Sequence, residues 1–400
     1  MENTFNEHLL KRNVSIDIFR GLVMILMVFV NDFWSVGNVP HFLEHFDTFE
    51  DGMGLSDVVF PMFLFAMGMS IPYAIERRFS KGYSGESTLG HILTRTFALL
   101  IMGVFIVNSE SGVESTLGYG VNTYRILMVI SFFLIWNTYS EDYKPKRWFQ
   151  LAGVLILLTL AITFRTPDGD LFRAGWWGIL GLIGWAYGFC ATAYMLLRKK
   201  PVFLVITWGL LILLNMLLTG LRDGGELING PTFINDMADA LNLGNCSSAI
   251  MAMGGVLLSL AERHLSAKNG KVRVSYALSA SCLLSIGAAV SHNWWIISKN
   301  SGTLPWCLYV SALSVAFYTF LRILESDGKI SWFQPIRYSG LATLTVYMIP
   351  YVLYSINGYI GIECPQWLTG AVGLIKCALF SFLCLALTTV LARCGCKLKI

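Results

Sequence analysis

The chain has 400 residues, of which 55% are hydrophobic and 14% charged, and its formal net charge is +4. About a quarter of the residues in an ordinary soluble domain are charged, so this composition excludes such a domain and points to a bilayer. The small positive excess follows from where Lys and Arg fall along the chain. With no basic tract interleaved with aromatics, it gives no reason to infer a nucleic-acid partner.

Apolar stretches of roughly 17 to 25 residues, each long enough to cross a hydrocarbon core of about 30 Å as a helix, recur from end to end. In chain order they read Ile16 to Phe33, Leu55 to Ile75, Ile92 to Asn108, Asn122 to Tyr139, Trp148 to Phe164 and Trp176 to Leu197. They continue as Val202 to Thr219, Asn245 to Leu260, Val274 to Ser291, Leu304 to Leu324, Ile336 to Ile356 and Trp367 to Leu391. The expected fold is therefore all-α, a polytopic bundle of about 10 to 12 transmembrane helices forming one membrane domain over residues 1–400. The first fifteen residues mix Glu2, Glu7, Lys11 and Arg12 without a small-residue cleavage site, so the first span is read as a retained helix.

Lys and Arg near span ends stay cytoplasmic far more often than not. With the N-terminus inside, Lys11 and Arg12, Arg77, Arg78 and Lys81, and Arg198, Lys199 and Lys200 face the cytoplasm, and Arg393, Lys397 and Lys399 agree. Opposite them lie Arg165, Arg173, Arg222 and Lys299. Both termini are expected inside, and the loop between the first two spans outside.

In SIDIFRG, Asp17 and Arg20 are three residues apart and share a helix face at the cytoplasmic border. They read either as a local ion pair or as part of an anion site with Arg95 and with Arg77 or Arg78. Asn31 stands near the outer end of the first span, at a depth where an unsatisfied amide is costly. It serves either as a cap or interhelical bond, or to orient a carbonyl or an amine. The outer loop carries His41, His45 and many carboxylates, including Glu44, Asp47, Glu50 and Asp51. An imidazole there can exchange a proton near neutral pH. Asp57 opens the second span as a cap or first-turn carboxylate, and Gly68 and Ser70 are small enough for close helix packing. Arg125 opens the fourth span on the outer side, and Lys376 is the main charge expected at mid-membrane. EDGMGLSD lacks the alternating ligands of a calcium loop, and no His/Cys cluster suggests zinc, so no metal is expected. The nine cysteines, mostly within spans, imply no disulfide framework.

The run RNVSIDIFRGLVMILMVFVND, an outer-side His, SDVVFPMFLFAMGMSIP and the basic turn ERRFSKG together resemble the heparan-α-glucosaminide N-acetyltransferase family, most closely its bacterial members. NCSSAIMAMGGVLLS, ISKNSGTLPWCLYVSALS and PIRYSGLATLTVY follow in the same order. The resemblance implies a transferase in a bacterial cytoplasmic membrane. Acetyl-CoA would be its cosubstrate from the cytosol, and its acceptor the amine of a glucosamine-type sugar on the far side. It carries the catalytic His over to His45 and the family's Asn to Asn31. On that reading Arg20, Asp17 and Arg95 hold the nucleotide end of acetyl-CoA, and Asp57, Lys299 and Arg125 touch substrate. Direct transfer and an acetyl-His route both stay open, as do a monomer and a homodimer. The competing reading is a secondary transporter or flippase for sugars, drawing on the same polar residues at span ends.

Overall fold

The computed structural model describes residues 13–139, 143–219, 245–266, 268–362, 365 and 367–400. Lys11, Arg12 and Arg222, which entered the orientation argument, lie outside them. All twelve expected spans fall on helices: α1 (Val14–Asn31), α2 (Leu55–Ser80), α3 (Gly85–Glu110), α4 (Val121–Trp136), α5 (Lys146–Thr163), α6 (Ile179–Leu197), α7 (Pro201–Leu218), α8 (Ser247–His264), α9 (Gly270–Ser291) and α10 (Leu304–Ser326), then α11 (Gln334–Leu341), α12 (Thr343–Ile360) and α13 (Gly370–Arg393). Among the described residues, nine helices are long and apolar enough to cross a membrane, and α4 is a shorter apolar one. The chain is an all-α polytopic membrane protein.

Two spans differ from expectation. Ile336 to Ile356 reads as a single stretch, but the helix breaks at Ala342, whose φ of −131° and ψ of 38° are not helical. The spanning part is α12, which runs on to Ile360. Trp176 to Leu197 likewise begins its helix only at Ile179, after Gly175 and Gly178.

The chain divides into two compact units, residues 1–23, 40–96 and 185–337 in unit 1 and residues 24–39, 97–184 and 338–400 in unit 2. In unit 1 the core helix is α2, 72% buried over its most apolar window, whereas α7 is 17% and α9 11% buried. Exposed Leu278, Leu283 and Ile286 on α9, and Val205, Ile206 and Leu210 on α7, form apolar surfaces suited to lipid rather than water. The contact of α2 with α8 is made by glycines. A Cβ on Gly68 would lie 1.9 Å from the carbonyl oxygen of Ala252, and one on Gly255 would lie 2.0 Å from that of Phe65. Ser259 Oγ donates to the Met69 carbonyl across the same seam at 2.8 Å. Gly68 thus does what its size suggests, and Ser70 turns back to the Ala66 carbonyl of its own helix.

Unit 2 packs α4 against α5 and α12, and α12 against α13. Gly103 and Gly181 give its counterpart of the glycine seam, with a Cβ on Gly103 only 2.5 Å from the Gly181 amide nitrogen. The glycines of WWGILGLIGWAYGF are therefore packing residues.

Candidate functional site

The chemistry in unit 1 is built where the outer loop enters α2. Asp57 occupies the first turn of that helix, where exposed N–H groups and the helix dipole favour a carboxylate. Its Oδ2 accepts the backbone N–H of Gly54 at 3.1 Å and of Phe46 at 3.0 Å, so one side chain both starts the helix and folds the loop back onto it. Gly54 is required by this fold, since a Cβ there would sit 2.0 Å from the Glu44 carbonyl oxygen. Ser56 Oγ donates to the Leu43 carbonyl at 2.6 Å, and the Trp306 indole donates to the Asp57 carbonyl at 3.1 Å.

The other carboxylate oxygen of Asp57 is 2.6 Å from Nδ1 of His45. Asp57 is 1% exposed and His45 51% exposed. A carboxylate that already accepts two backbone N–H groups takes a third hydrogen from the ring, which fixes the proton on Nδ1. Nε2, the opposite nitrogen, is then the basic one, and it has no hydrogen-bond partner among the described residues. A buried acid that fixes the tautomer and orientation of a half-exposed imidazole is how a histidine is prepared to take a proton.

Lys299 completes the group. Its Nζ is 3.8 Å from Asp57 Oδ1 and 3.1 Å from His45 Nδ1. Because Nδ1 spends its hydrogen on Asp57, the approach of the ammonium to that nitrogen is a contact, and the carboxylate is its electrostatic partner. Burial pulls the Lys299 ammonium below the ordinary 10.5, and the Asp57 carboxylate opposes that pull.

The loop that carries Lys299 is stitched to the outer loop by further bonds. Ile297 N–H donates to Asp51 Oδ1 at 2.9 Å, and Gly52 N–H donates to the Ile297 carbonyl at 3.0 Å. Ser298 Oγ donates to the Thr48 carbonyl at 3.1 Å, and His292 Nε2 meets the Asp51 carboxylate at 2.8 Å. His41 is used differently from His45. Its Nε2 is 2.7 Å from Glu50 and its ring stacks on Phe46, so it braces the loop. The Glu50 contact raises His41 above 6.5, and the same contact lowers Glu50 below 4.5.

At the other end of unit 1, Asp17 is buried and 3.5 Å from the Arg337 guanidinium. Arg95 stacks over the Tyr187 ring at 4.7 Å, and its buried Nε makes no hydrogen bond among the described residues. Arg20 lies on α1, one helical turn after Asp17.

Unit 2 holds Asn31 and Arg125. They line a cavity of about 620 Å³ together with Trp34, Glu110, Tyr351 and Asn357. Arg125 also donates to the Ser109 carbonyl at 3.1 Å. Asp32, fully buried, receives Lys376 Nζ at 2.8 Å and the Tyr354 hydroxyl at 2.8 Å, and Lys376 reaches Ser35 Oγ at 2.6 Å. Lys376, expected at mid-membrane, stands in the second turn of α13 and pairs with Asp32 just past the end of α1, 344 residues away in sequence.

Sequence reasoning treated Asp57 as a cap or substrate contact and missed its grip on His45. The signal available was a carboxylate in the first turn of a helix that follows a His-bearing loop. No sequence signal pointed to the pairing of His292 with Asp51.

A family profile described as "Domain of unknown function (DUF5009)" matches residues 12–230. The mouse heparan-α-glucosaminide N-acetyltransferase is 28% identical over 386 residues, and the human one 40% identical over 373. These alignments cover 83% and 84% of this chain, which spans about half the length of each relative, 52%. With more than half of its residues matched by the profile, the chain belongs to the DUF5009 family, and over most of its length it is related to the heparan-α-glucosaminide N-acetyltransferases that its opening motifs resemble.

Proposed function

We propose that this protein transfers an acetyl group from acetyl-CoA, on the cytoplasmic side, to the amine of a glucosamine-type sugar on the extracytoplasmic side of a bacterial cytoplasmic membrane. The observation that carries the reading is the Asp57–His45 pair, with Nε2 free of any bond among the described residues and Lys299 beside it. The names of the related enzymes supply the transferred group and the acceptor class, and acetyl-CoA as donor is what the motif resemblance implies.

Acetyl-CoA supplies a thioester carbonyl activated toward amines. As the acceptor nitrogen bonds to that carbon, His45 Nε2 takes the proton that the nitrogen sheds, and Asp57 stabilises the imidazolium through Nδ1–H. The C–S bond breaks, and the same proton returns from Nε2 to the departing sulfur. General-base assistance of this kind contributes about 10²- to 10⁴-fold. The Lys299 ammonium, partly exposed and adjacent to the imidazole, is the cation available to an oxygen that gains negative charge there. Arg95 fits the phosphate end of the cosubstrate. Its guanidinium carbon lies 4.7 Å over the Tyr187 ring, and a planar guanidinium is the side-chain group that meets phosphate with paired N–H donors. Asn31, the residue that matches the family's Asn, lines the unit 2 cavity beside Asn122 and Asn357.

The deciding experiment follows CoA release by purified protein with acetyl-CoA and glucosamine, for wild type and His45→Ala. Loss of about 10²-fold or more with the melting temperature unchanged supports the reading, and undiminished release in His45→Ala overturns it. One observation favours a transporter instead. An ion pair between Lys376 of the apolar helix α13 and buried Asp32, in the unit whose cavity also holds Glu110 and Arg125, is the kind of charge placement that marks a solute path. Glucosamine uptake by proteoliposomes without acetyl-CoA would favour that alternative.

A further inference from the structure

A second cleft in unit 1, about 1040 Å³, opens between the last turns of α6 and α8 and the first turns of α7, and the proposed chemistry does not use it. Its rim carries Arg198, Lys199 and Arg263, with His264 beside them, against the single carboxylate of Glu76. That carboxylate is already engaged. Arg198 meets both of its oxygens at 3.1 and 3.2 Å, and the Tyr194 hydroxyl donates to it at 3.0 Å. Among the residues that line the cleft, cationic side chains thus outnumber carboxylates, at a place where two helix C-termini present partial negative charge, a setting that binds an anion only through such side chains.

The floor has the opposite character. Val202, Val205, Leu257 and Leu260 line it without a polar group. Val202 is 68% and Val205 53% exposed, and they lie on α7, the apolar helix of which only 17% is buried. The apolar wall of the cleft thus continues onto a surface suited to lipid chains, directly beneath a cationic rim. A free phosphate would meet the rim and leave the floor bare. A ligand with a phosphate head and hydrocarbon chains satisfies both.

We infer that this cleft is a binding site for an anionic phospholipid. Its phosphate would rest among Lys199, Arg263 and Arg198, and its acyl chains would run down Val202 and Val205. Basic pockets between membrane helices recognise such headgroups, with about a fivefold gain in affinity for each cation near the phosphate.

The test uses the full chain in detergent micelles, with native mass spectrometry counting retained lipid as phosphatidylglycerol or phosphatidylcholine is added. Phosphatidylglycerol should be retained in preference to phosphatidylcholine. Lys199→Gln should weaken it about fivefold, and Lys199→Gln with Arg263→Gln about thirtyfold. Val205→Asn should also weaken it, because the floor contributes. Equal retention of the two lipids, or no change in Lys199→Gln, overturns the proposal. So does displacement of phosphatidylglycerol by inorganic phosphate, which marks a plain anion site, or by acetyl-CoA, which assigns the cleft to the cosubstrate. Lys199 is exposed, so the single variant decides the matter even if the double variant fails to fold.

Discussion

Replacing Asp57 by Asn separates its two jobs. The amide oxygen can still accept the N–H groups of Gly54 and Phe46, which lie 3.1 and 3.0 Å from one carboxylate oxygen, so the helix start and the loop closure survive. The NH₂ group then faces Nδ1 of His45, where an acceptor stood at 2.6 Å. Two donors cannot share that contact, so the ring moves its hydrogen to Nε2 and loses its base on the substrate side. Activity falls by the whole base contribution, about 10²- to 10⁴-fold, which is about 3 to 5 kcal/mol of transition-state stabilisation. Stability falls less. The Lys299 ammonium, 3.8 Å away, loses an attraction of about 4 kcal/mol at an effective dielectric constant of about 20. A long side chain at the rim recovers most of that by turning to water, so a net loss of about 1 to 2 kcal/mol is expected. The assay is CoA release with glucosamine under saturating acetyl-CoA, beside a thermal melt in detergent. Asp57→Asn and His45→Ala combined should cost no more than His45→Ala alone, because the two act as one unit. A folded Asp57→Asn protein within about threefold of wild type would refute the argument and leave Asp57 a helix cap.

Further outcomes follow from other parts of the structure. Gly255→Ala places a methyl 2.0 Å from the Phe65 carbonyl oxygen and should cost at least about 2 kcal/mol in a detergent melt, whereas Gly209→Ala, with nothing within 4 Å, should be neutral or slightly stabilising. Lys376→Ala strands the buried Asp32 carboxylate and should destabilise by about 3 to 5 kcal/mol, with Asp32→Asn plus Lys376→Met recovering much of the loss on the same melt. The His41–Glu50 brace has a pH window. His41 is raised, so its contribution is full below 6.5 and is lost as pH climbs through its higher folded value. Glu50 is lowered, so its contribution is full above 4.5 and is lost as pH drops through its lower folded value. Hydrogen exchange in residues 41–50 should therefore be most protected between about pH 4.5 and 6.5, once intrinsic rates are divided out, and His41→Ala should abolish that window. Lys299 loses its proton below 10.5, so the alkaline limb of CoA release should move upward in Lys299→Arg.

The helices were legible because a lipid-spanning segment must be both long and apolar, and that requirement is written locally. The break at Ala342 was not, since no proline or charge marks it. The loop histidine was legible through the motif that surrounds it, whereas its setting was not. Asp57 reads as a common first-turn acid, and Lys299 stands 254 residues beyond His45 with only its charge to mark it. The same holds in unit 2, where Lys376 is conspicuous in the sequence and Asp32 looks like an ordinary helix-end residue. Pairings across hundreds of residues depend on the order in which helices pack, and hydropathy does not carry that order.

The stitching of the outer loop to residues 292–303 has a consequence for biogenesis. The imidazole and its aspartate emerge from the ribosome early, within the first two membrane segments, but the lysine and the backbone groups that pin their loop arrive only after α9 has been made. A half-inserted chain therefore carries a histidine without its full setting, and the machinery that threads this protein into the membrane must deliver most of it before that setting is complete.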